Sequence, residues 1–475
     1  MAEKILVTAA LPYANGPLHL GHLAGAYIPA DVYVRYQRLK GSDVIYICGS
    51  DEHGVPITIR ADRERASPQE IVDRYHGLMK ESFRRMGIRF DNYSRTSLPL
   101  HHRISRDFFL RLHDKGHIQP HEVQQCYCDQ CRRFLPDRYI EGECPHCQAP
   151  DARGDQCENC GRVLEPEHII SPRCKICGSA PRTRTTTHWY FRLSSFQQQL
   201  VEWQKGKPDW RGNVREFSSG WFQEGLSDRA ITRDLDWGVE VPLVEAKGKV
   251  LYVWFDAPIG YLSSTVEWAE NLGDPDRWRR YWADPKTRMI HFIGKDNIVF
   301  HAIVWPAMLM GHGEFILPDH IPANEFLNIE GKKLSTSRNW AVWVDDYLET
   351  FPPDPLRYHL ASNAPESKDA DFTWKDFQAR NNNELADVLG NLVNRSLTFV
   401  EKQFAGQVPP AADLTDGDRA IHASIAEAVT AIGRSLDGFQ LRKATGELMN
   451  LARIGNRYFN DSAPWAAIKT DRLRA

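Results

Sequence analysis

The sequence predicts an α/β protein whose parallel sheet is interrupted by a small metal-binding insertion and followed by a helical bundle. Three observations carry that prediction. A strand-helix-strand unit opens the chain, similar strand-then-helix patterns return after residue 250, and eight of the ten cysteines fall between Cys128 and Cys177. Composition agrees: of 475 residues, 42% are hydrophobic and 25% charged, with a net charge of −3, which is ordinary globular balance. At roughly 100–200 residues per domain, the length implies about three domains. No run approaches the ~18 apolar residues of a membrane span, and the start, MAEKILVTAALPY, lacks a basic region followed by a cleavable apolar stretch. A cytoplasmic location follows as the expectation. The near-neutral charge excludes a wholly basic nucleic-acid coat but permits a local basic groove.

Residues 4–10, KILVTAA, form a short apolar run that enters the turn-rich LPYANGP. This reads as a buried strand ending in a loop. From His19, apolar Leu20, Leu23, Ala24, Tyr27, Ile28 and Val34 recur at helical spacing, and Gly41 marks a stop. DVIYICG at 43–49 supplies the second strand, parallel to the first through a right-handed crossover. The opening is thus a Rossmann-like half. VLYVWFDAPIGY (250–261) and MIHFIGKDNIVFHAIVWPAMLM (289–310) read as further strand-helix units of the same sheet. Between the opening unit and these later segments, roughly 116–230, Pro, Gly, Arg and Cys replace the apolar periodicity. After about 322 the elements are short and mixed, and from about 378 the pattern is helical. Leu385, Val388, Leu389, Leu392, Val393 and Leu397 are expected on one packing face. No terminal cap is evident after SAPWAAIK, which leaves the bundle open.

Two short motifs carry chemistry. In PYANGPLHLGH (12–22), His19 and His22 stand three apart at a helix start and share one side. Ligands of a doubly wound sheet bind beyond the strands' carboxyl ends, where a helix N-terminus offers N–H groups to phosphate. Gly21 and the glycine-bearing approach loop permit close backbone contact. Taken alone, such a histidine pair is more often a set of caps or surface groups. GKKLSTS (331–337) is a hydroxyl-rich, doubly basic loop suited to covering a polyphosphate, with lysine as a mobile point charge. By itself it is a solvated loop; the order of the two motifs across an interrupted sheet is the specific signal.

The cysteines form four CxxC pairs, Cys128/Cys131, Cys144/Cys147, Cys157/Cys160 and Cys174/Cys177, separated by 12, 9 and 13 residues. Eight thiolates suit two closed tetrahedral Cys₄ zinc sites, which would organise a subdomain lacking a large core. Disulfides are the poorer alternative for a cytosolic chain. The near-symmetric gaps favour nested pairing, 144/147/157/160 inside 128/131/174/177. Sequential pairing stays open, as does substitution by Cys126.

HLGH followed far downstream by KLSTS resembles the HIGH and KMSKS signatures of the class I aminoacyl-tRNA synthetases, and the LPYANGPLHLGH context resembles the methionyl group. The likeness continues through ADVYVRYQRLKG (30–41), CGSDEHG (48–54), YVWFDAPIGY (252–261), HFIGKD (291–296) and NRYFNDSAPW (456–465), so it covers nearly the whole chain. One departure is Thr336, where the motif carries its second lysine. Lys333 keeps the charge, with Lys332 as a supplement.

The resemblance implies a Rossmann catalytic domain split into 1–115 and 231–322, a zinc-binding connective insertion at 116–230, a stem-contact region with the KLSTS loop at 323–377, and an anticodon-binding helical domain at 378–475. It implies ATP-dependent activation of methionine and transfer to tRNA(Met), with Mg²⁺ accompanying ATP. His19, His22 and Lys333 would be catalytic, and Gly21, Lys295, Ser335 and Ser337 would join them around ATP. Methionine would meet Leu11, Tyr13, Asp51, Trp254, Ala257, Pro258, Tyr261 and His301, with Asp51 receiving the ammonium. Arg233 would contact the adenylate. Asn391, Arg395 and Trp465 would read the anticodon by hydrogen bonding and stacking. Some family members keep only the inner four cysteines, which also favours nesting. The cysteine-rich insertion looks too short and metal-dominated for a branched-chain enzyme's editing domain, and intact HLGH argues against a non-catalytic tRNA-binding relative.

Overall fold

The computed structural model describes residues 2–475 apart from 137–138, 151, 154–156, 158–159, 161–163, 165–167, 336–338, 411–412 and 473. Its centre is a five-stranded sheet built from β1 (Lys4–Ala9), β2 (Asp43–Ser50), β3 (Asn92–Arg95), β4 (Arg288–Gly294) and β5 (Ala323–Asn324). The spatial order is β5-β4-β1-β2-β3, and every pairing is parallel. Strand order therefore reverses between β1 and β4, which opens a crevice beyond their carboxyl ends. The inner strands are apolar on both faces, as a sheet covered by helices requires. Ile5 and Val7 face one buried cluster and Leu6 the other.

The helical run after β1 comprises Leu20–His22, a π-helical turn Leu23–Tyr27 and Ile28–Leu39, ending just before Gly41 at φ +86°. The expected strand at 250 is different. Val250–Leu251 pairs antiparallel with Thr232–Arg233, and the helix Val253–Asn271 begins at once. A two-residue strand ended by a helix start cannot span the sheet, so this segment supplies a covering helix instead.

Within the insertion, Ile118–Cys128 and Arg182–Phe191 form a long antiparallel ribbon, flanked by Arg133–Phe134 and Arg229–Ala230. Two small clusters surround the cysteines. From Trp189 onward, however, Phe191, Leu193, Phe196, Leu200, Trp210 and Val214 join the same core as Leu6 and Ile45 of the sheet. The composition boundary near 230 thus runs through a shared core.

After β5, a three-stranded sheet joins Leu327–Ile329 to Lys332–Lys333 and Ala370–Phe372. Helices Trp374–Arg380, Asn381–Gly390 (π), Asn391–Phe404, Asp416–Asp437 and Leu441–Ser462 follow. The stripe expected to pack as one is only partly covered, with Leu397 65% and Val393 46% exposed. The i→i+5 bonding of Asn381–Gly390 widens the turn, so a stripe drawn at 3.6 residues per turn drifts around the helix. The bundle is fastened to the sheet by Asp437, which accepts from Tyr36, Gln37 and Lys40 of the first crossover helix. Phe439, at φ +57° in the turn between the last two long helices, packs on Tyr33 and on Phe292 of β4. No helix among the described residues is long and apolar enough to cross a membrane.

Asp31 is nearly fully buried and is shared by Arg35 at 2.8 Å and Arg357 at 2.6 Å. It ties the first crossover helix to Pro353–Ser362. Asp31→Ala strands the Arg357 guanidinium, and we expect denaturant titration to show a loss of about 3 kcal/mol.

Candidate active site

The loops beyond β1 and β2 are stitched together at the crevice. Asp51 N–H donates to the Pro12 carbonyl at 2.9 Å and Ala14 N–H to the Asp51 carbonyl at 2.8 Å, setting Tyr13 beside Asp51. The next segment is held from the other side, where Leu20 N–H donates to Val342 and Val344 N–H to Leu18. Two cavities open there. The larger, about 470 Å³, is lined by Tyr13, His19, Gly21, His22, Asp296 and Lys333 among others. The smaller, about 80 Å³, is lined by Ala257, Pro258, Tyr261, Phe300 and His301. Ala10, Leu11, Asp51, Trp254 and Asn297 line both, so Asp51 stands at their junction.

His19 and His22 cap the helix start and also line the larger cavity. His22 N–H faces His19 Nδ1 at 3.4 Å, His19 N–H faces His22 Nδ1 at 3.1 Å, and the rings stack at 3.7 Å. With each Nδ1 accepting from backbone, the ring proton of the neutral form resides on Nε2. Burial pushes the His19 pKa down to about 4, and burial together with His19 pushes His22 well below its usual value. Both are neutral donors at pH 7. Gly21 sits close to its neighbours: a Cβ there would lie 3.1 Å from the His19 ring and 3.3 Å from Leu334, so either side chain would have to shift.

Lys333 is exposed on the short hairpin, with Nζ 5.3 Å from the Phe326 ring centre. Lys295 lies 4.2 Å from the same ring and bonds Glu325 at 2.7 Å and Asp369 at 2.8 Å. Burial works against its charge, but these carboxylates outweigh burial and raise its pKa. Ser335 exchanges backbone hydrogen bonds with Trp340. Thr336 and Ser337 lie outside the described residues.

The smaller cavity is lined by neutral groups except at Asp51. His301 Nδ1–H donates to the Asn297 carbonyl at 3.0 Å, which leaves Nε2 to accept from the Tyr261 hydroxyl at 2.8 Å. Burial lowers His301 to about 4 and raises Tyr261 well above the usual phenol value. Trp254 is half exposed at the mouth, against Phe300 at 4.7 Å, so it is not a core residue. Asp51 Oδ1 is buried without a hydrogen-bond partner. Such a group favours a charged or donating ligand.

Arg233 is not among the residues lining either cavity. Its guanidinium stacks on Tyr252 at 3.9 Å and bonds the Thr232 carbonyl, lining a neighbouring cavity of about 610 Å³. The sequence reading overlooked Ala10, Asp296, Asn297, Phe300 and Glu325. For Asn297 a signal existed, because it precedes His301 by one helical turn. Gly260 was overlooked too: a Cβ there would approach Leu11 to 2.8 Å.

Far from the crevice, Arg395 bonds Asn460 at 2.7 Å and lies 4.5 Å from the Phe459 ring and 5.7 Å from that of Trp465. Asn391 bonds Asn456 at 3.2 Å one turn away, and Trp465 is 47% exposed.

The cysteines group as Cys128, Cys131, Cys174 and Cys177, and as Cys144, Cys147, Cys157 and Cys160. Cys126 belongs to neither four. Sulfur separations of 3.4, 3.9, 3.9 and 3.6 Å bracket the edge of about 3.8 Å expected for a tetrahedral tetrathiolate site with metal–sulfur bonds of ~2.3 Å. Each group can hold one metal ion.

Two predictions follow from this geometry. Elemental analysis is expected to give two metal ions per chain, and Cys144→Ala to remove one while sparing the outer four thiolates. The second concerns acid. His19, His301, His312 and His359 are each lowered by burial to about 4, whereas free histidine titrates near 6.5. The unfolded chain therefore binds these protons first, and stability falls as pH drops from about 6.5 toward 4. His359 lies away from the crevice and has neither ring nitrogen hydrogen-bonded. Melting curves should show His359→Gln with a shallower acid slope than the parent.

Comparison with known proteins agrees with this architecture. A family model described as tRNA synthetases class I (M) matches residues 5–397, and the anticodon binding domain of methionyl tRNA ligase matches 408–475. The chain is 55% identical over 475 residues to a methionine–tRNA ligase of Bacteroides fragilis, covering 99% of this chain and 69% of the relative. To one from Pyrococcus furiosus it is 51% identical, covering 99% and 67%. A crystal structure of Mycobacterium tuberculosis methionyl-tRNA synthetase bound by methionyl-adenylate superposes with a TM-score of 0.80 at 27% identity, covering 99% of this chain and 87% of that one. With both family models and these relatives spanning nearly all of it, the chain belongs to the methionyl family of class I tRNA synthetases.

Proposed function

We propose that the chain is a methionine–tRNA ligase that activates methionine with ATP and transfers it to the terminal adenosine of tRNA(Met). The observation that carries this reading is the junction of the two cavities. A small neutral pocket ends at one buried carboxylate and opens into a cavity lined by neutral imidazole donors at the switch point of the sheet. A thioether side chain suits the first, since aromatic walls favour polarizable sulfur. Asp51 pairs with the ammonium, Leu11, Tyr13, Trp254, Ala257, Pro258, Tyr261 and His301 enclose the rest, and the substrate carboxylate then faces the nucleotide.

In the first step a methionine carboxylate oxygen attacks the α-phosphorus of ATP and the bond to pyrophosphate breaks. The Nε2–H groups of His19 and His22 donate to phosphate oxygens on which charge builds. Lys333, with Ser335, covers the pyrophosphate side, and Lys295, paired with Glu325 and Asp369, stands between the cavity-lining Gly294 and Asp296. Fixed donors of this kind contribute most when water is excluded. In the second step a ribose hydroxyl of the tRNA end attacks the acyl carbon and AMP departs. Mg²⁺, carried by ATP, neutralises phosphate charge; no dedicated carboxylate cage is needed for it. Arg233, on the neighbouring cavity, has a supporting role toward the adenylate.

The two cysteine groups suit zinc, whose tetrahedral thiolate sites organise small domains. Asn391, Arg395 and Trp465 form one exposed hydrogen-bonding and stacking surface for anticodon bases. A cytoplasmic location accords with thiolate ligands, which need a reducing compartment.

The test is amino-acid-dependent ATP–pyrophosphate exchange with methionine, leucine, isoleucine, valine and cysteine. Exchange is expected with methionine alone. His22→Ala and Lys333→Ala should each slow it on the order of 10²-fold or more, the usual loss for one preorganised donor, with methionine affinity changed only a few-fold. Parental exchange rates in both variants would remove these residues from the chemistry.

A further inference from the structure

Behind the smaller cavity lies a polar cluster that no step above uses. His53 sits two residues beyond Asp51, His101 lies in the helix Pro99–Asp114, and Asp256 is in the first turn of Val253–Asn271. All three are at most 1% exposed. Asp256 Oδ2 is 2.6 Å from His53 Nδ1 and 3.3 Å from His101 Nε2. His101 Nδ1 meets Ser263 Oγ at 2.9 Å, two turns along the helix that carries Asp256. Tyr13, which lines the larger cavity, donates its hydroxyl to the His53 carbonyl. The cluster therefore joins three elements at the point where the Asp51 loop meets the helix bearing Ala257, Pro258 and Tyr261. None of its members lines either cavity.

Three such side chains invite a metal reading, since their donor atoms lie within 4.8 Å of one another. The geometry favours hydrogen bonding. Nitrogen and oxygen donors held at ~2.0–2.2 Å by one tetrahedral ion stand about 3.3 Å apart, whereas His53 and Asp256 are 2.6 Å apart, a short hydrogen bond.

A buried carboxylate is costly unless its charge serves or is paired. Around Asp51, Glu52 is bound by Ser50, Ser97 and Arg95. Tyr13 and Tyr261 are held protonated by burial, and His19, His22 and His301 are held neutral by it. His53 follows on the same loop, and Asp296 and Lys333 lie across the larger cavity. We propose that the His53–Asp256–His101 cluster is a positioning element for methionine: it fixes the Asp51 loop against the pocket helix, with the Asp256 carboxyl buried behind that loop, so that Asp51 is aimed at the substrate ammonium. This rests on the functional reading above. Burial first, and then the charge of Asp256, raise the Asp51 carboxyl well above its usual range. Asp256 itself is lowered despite burial, because His53 and His101 favour its ionised form.

The experiment is the pH dependence of kcat/KM for methionine in exchange, measured for the parent, Asp256→Asn, and the pair His53→Gln and His53→Ala. Asp256→Asn is expected to raise KM for methionine at least ten-fold, to leave KM for ATP within two-fold, and to move the acid limb to lower pH, because Asp51 then protonates less readily. An unmoved limb, or equal rises in both KM values, overturns the proposal in favour of plain structural support. Should Asp256→Asn fail to fold, the His53 pair decides. A larger rise in methionine KM for Ala than for Gln, which keeps a donor for Asp256, supports it, and equal values overturn it. Absence of methionine-dependent exchange in the parent would instead sink the functional reading.

Discussion

Pairing between two irregular segments, Pro12–Ala14 and Asp51, is the contact on which the reactive edge depends. Neither belongs to the sheet, yet each exchanges backbone hydrogen bonds with the other as though β1 and β2 ran on for two more residues. Parallel order makes this possible, because strands that end together release their loops on the same side. The consequence is a carboxylate held by main-chain bonds at the mouth of a pocket whose remaining walls come from a helix and from the segment after β4. Loops usually carry the mobility of a protein; these are tied to each other by strand-like backbone hydrogen bonds.

The second governing feature is dehydration. The histidines along both cavities are stripped of charge by burial, and their tautomers are set by backbone groups or by Tyr261. Polarity is thus supplied as fixed dipoles. The charged side chains along the cavities are the carboxyl groups of Asp51, Asp296 and Glu325 and the ammonium of Lys333. Such an arrangement separates recognition of a zwitterion from stabilisation of phosphate, although the two sites share five residues.

How much of this the sequence reveals varies with the physics of each element. β1 and β2 are legible because strands buried on both faces read as unbroken apolar runs. The cysteine groups are legible because metal spacing is local, and the nested sets match the gap symmetry. Short edge strands such as Asn92–Arg95 and Ala323–Asn324 carry no periodicity of their own, and their place is set by neighbours. Val250–Leu251 looks like a sheet strand only until the helix begins beside it. The π-helical turns at Leu23–Tyr27 and Asn381–Gly390 change side-chain register without any compositional mark. At the site, His19, His22 and Asp51 belong to dense motifs, whereas Asn297 and Phe300 matter only because the chain folds back over the crevice. Hydrogen-bonded pairs between distant segments, such as Asp256 with His53, are invisible until the fold brings them together.

Phe439 gives the bundle's attachment a mechanical meaning. Its ring occupies the angle between Tyr33 and Phe292, with its carbonyl taken by Arg211. Phe292 lies three residues before Lys295 on the strand that feeds the smaller cavity. A tilt of the two long helices would have to drag this wedge across β4. The wedge acts like a doorstop, coupling movement of the base of the bundle to the strand that leads into the crevice.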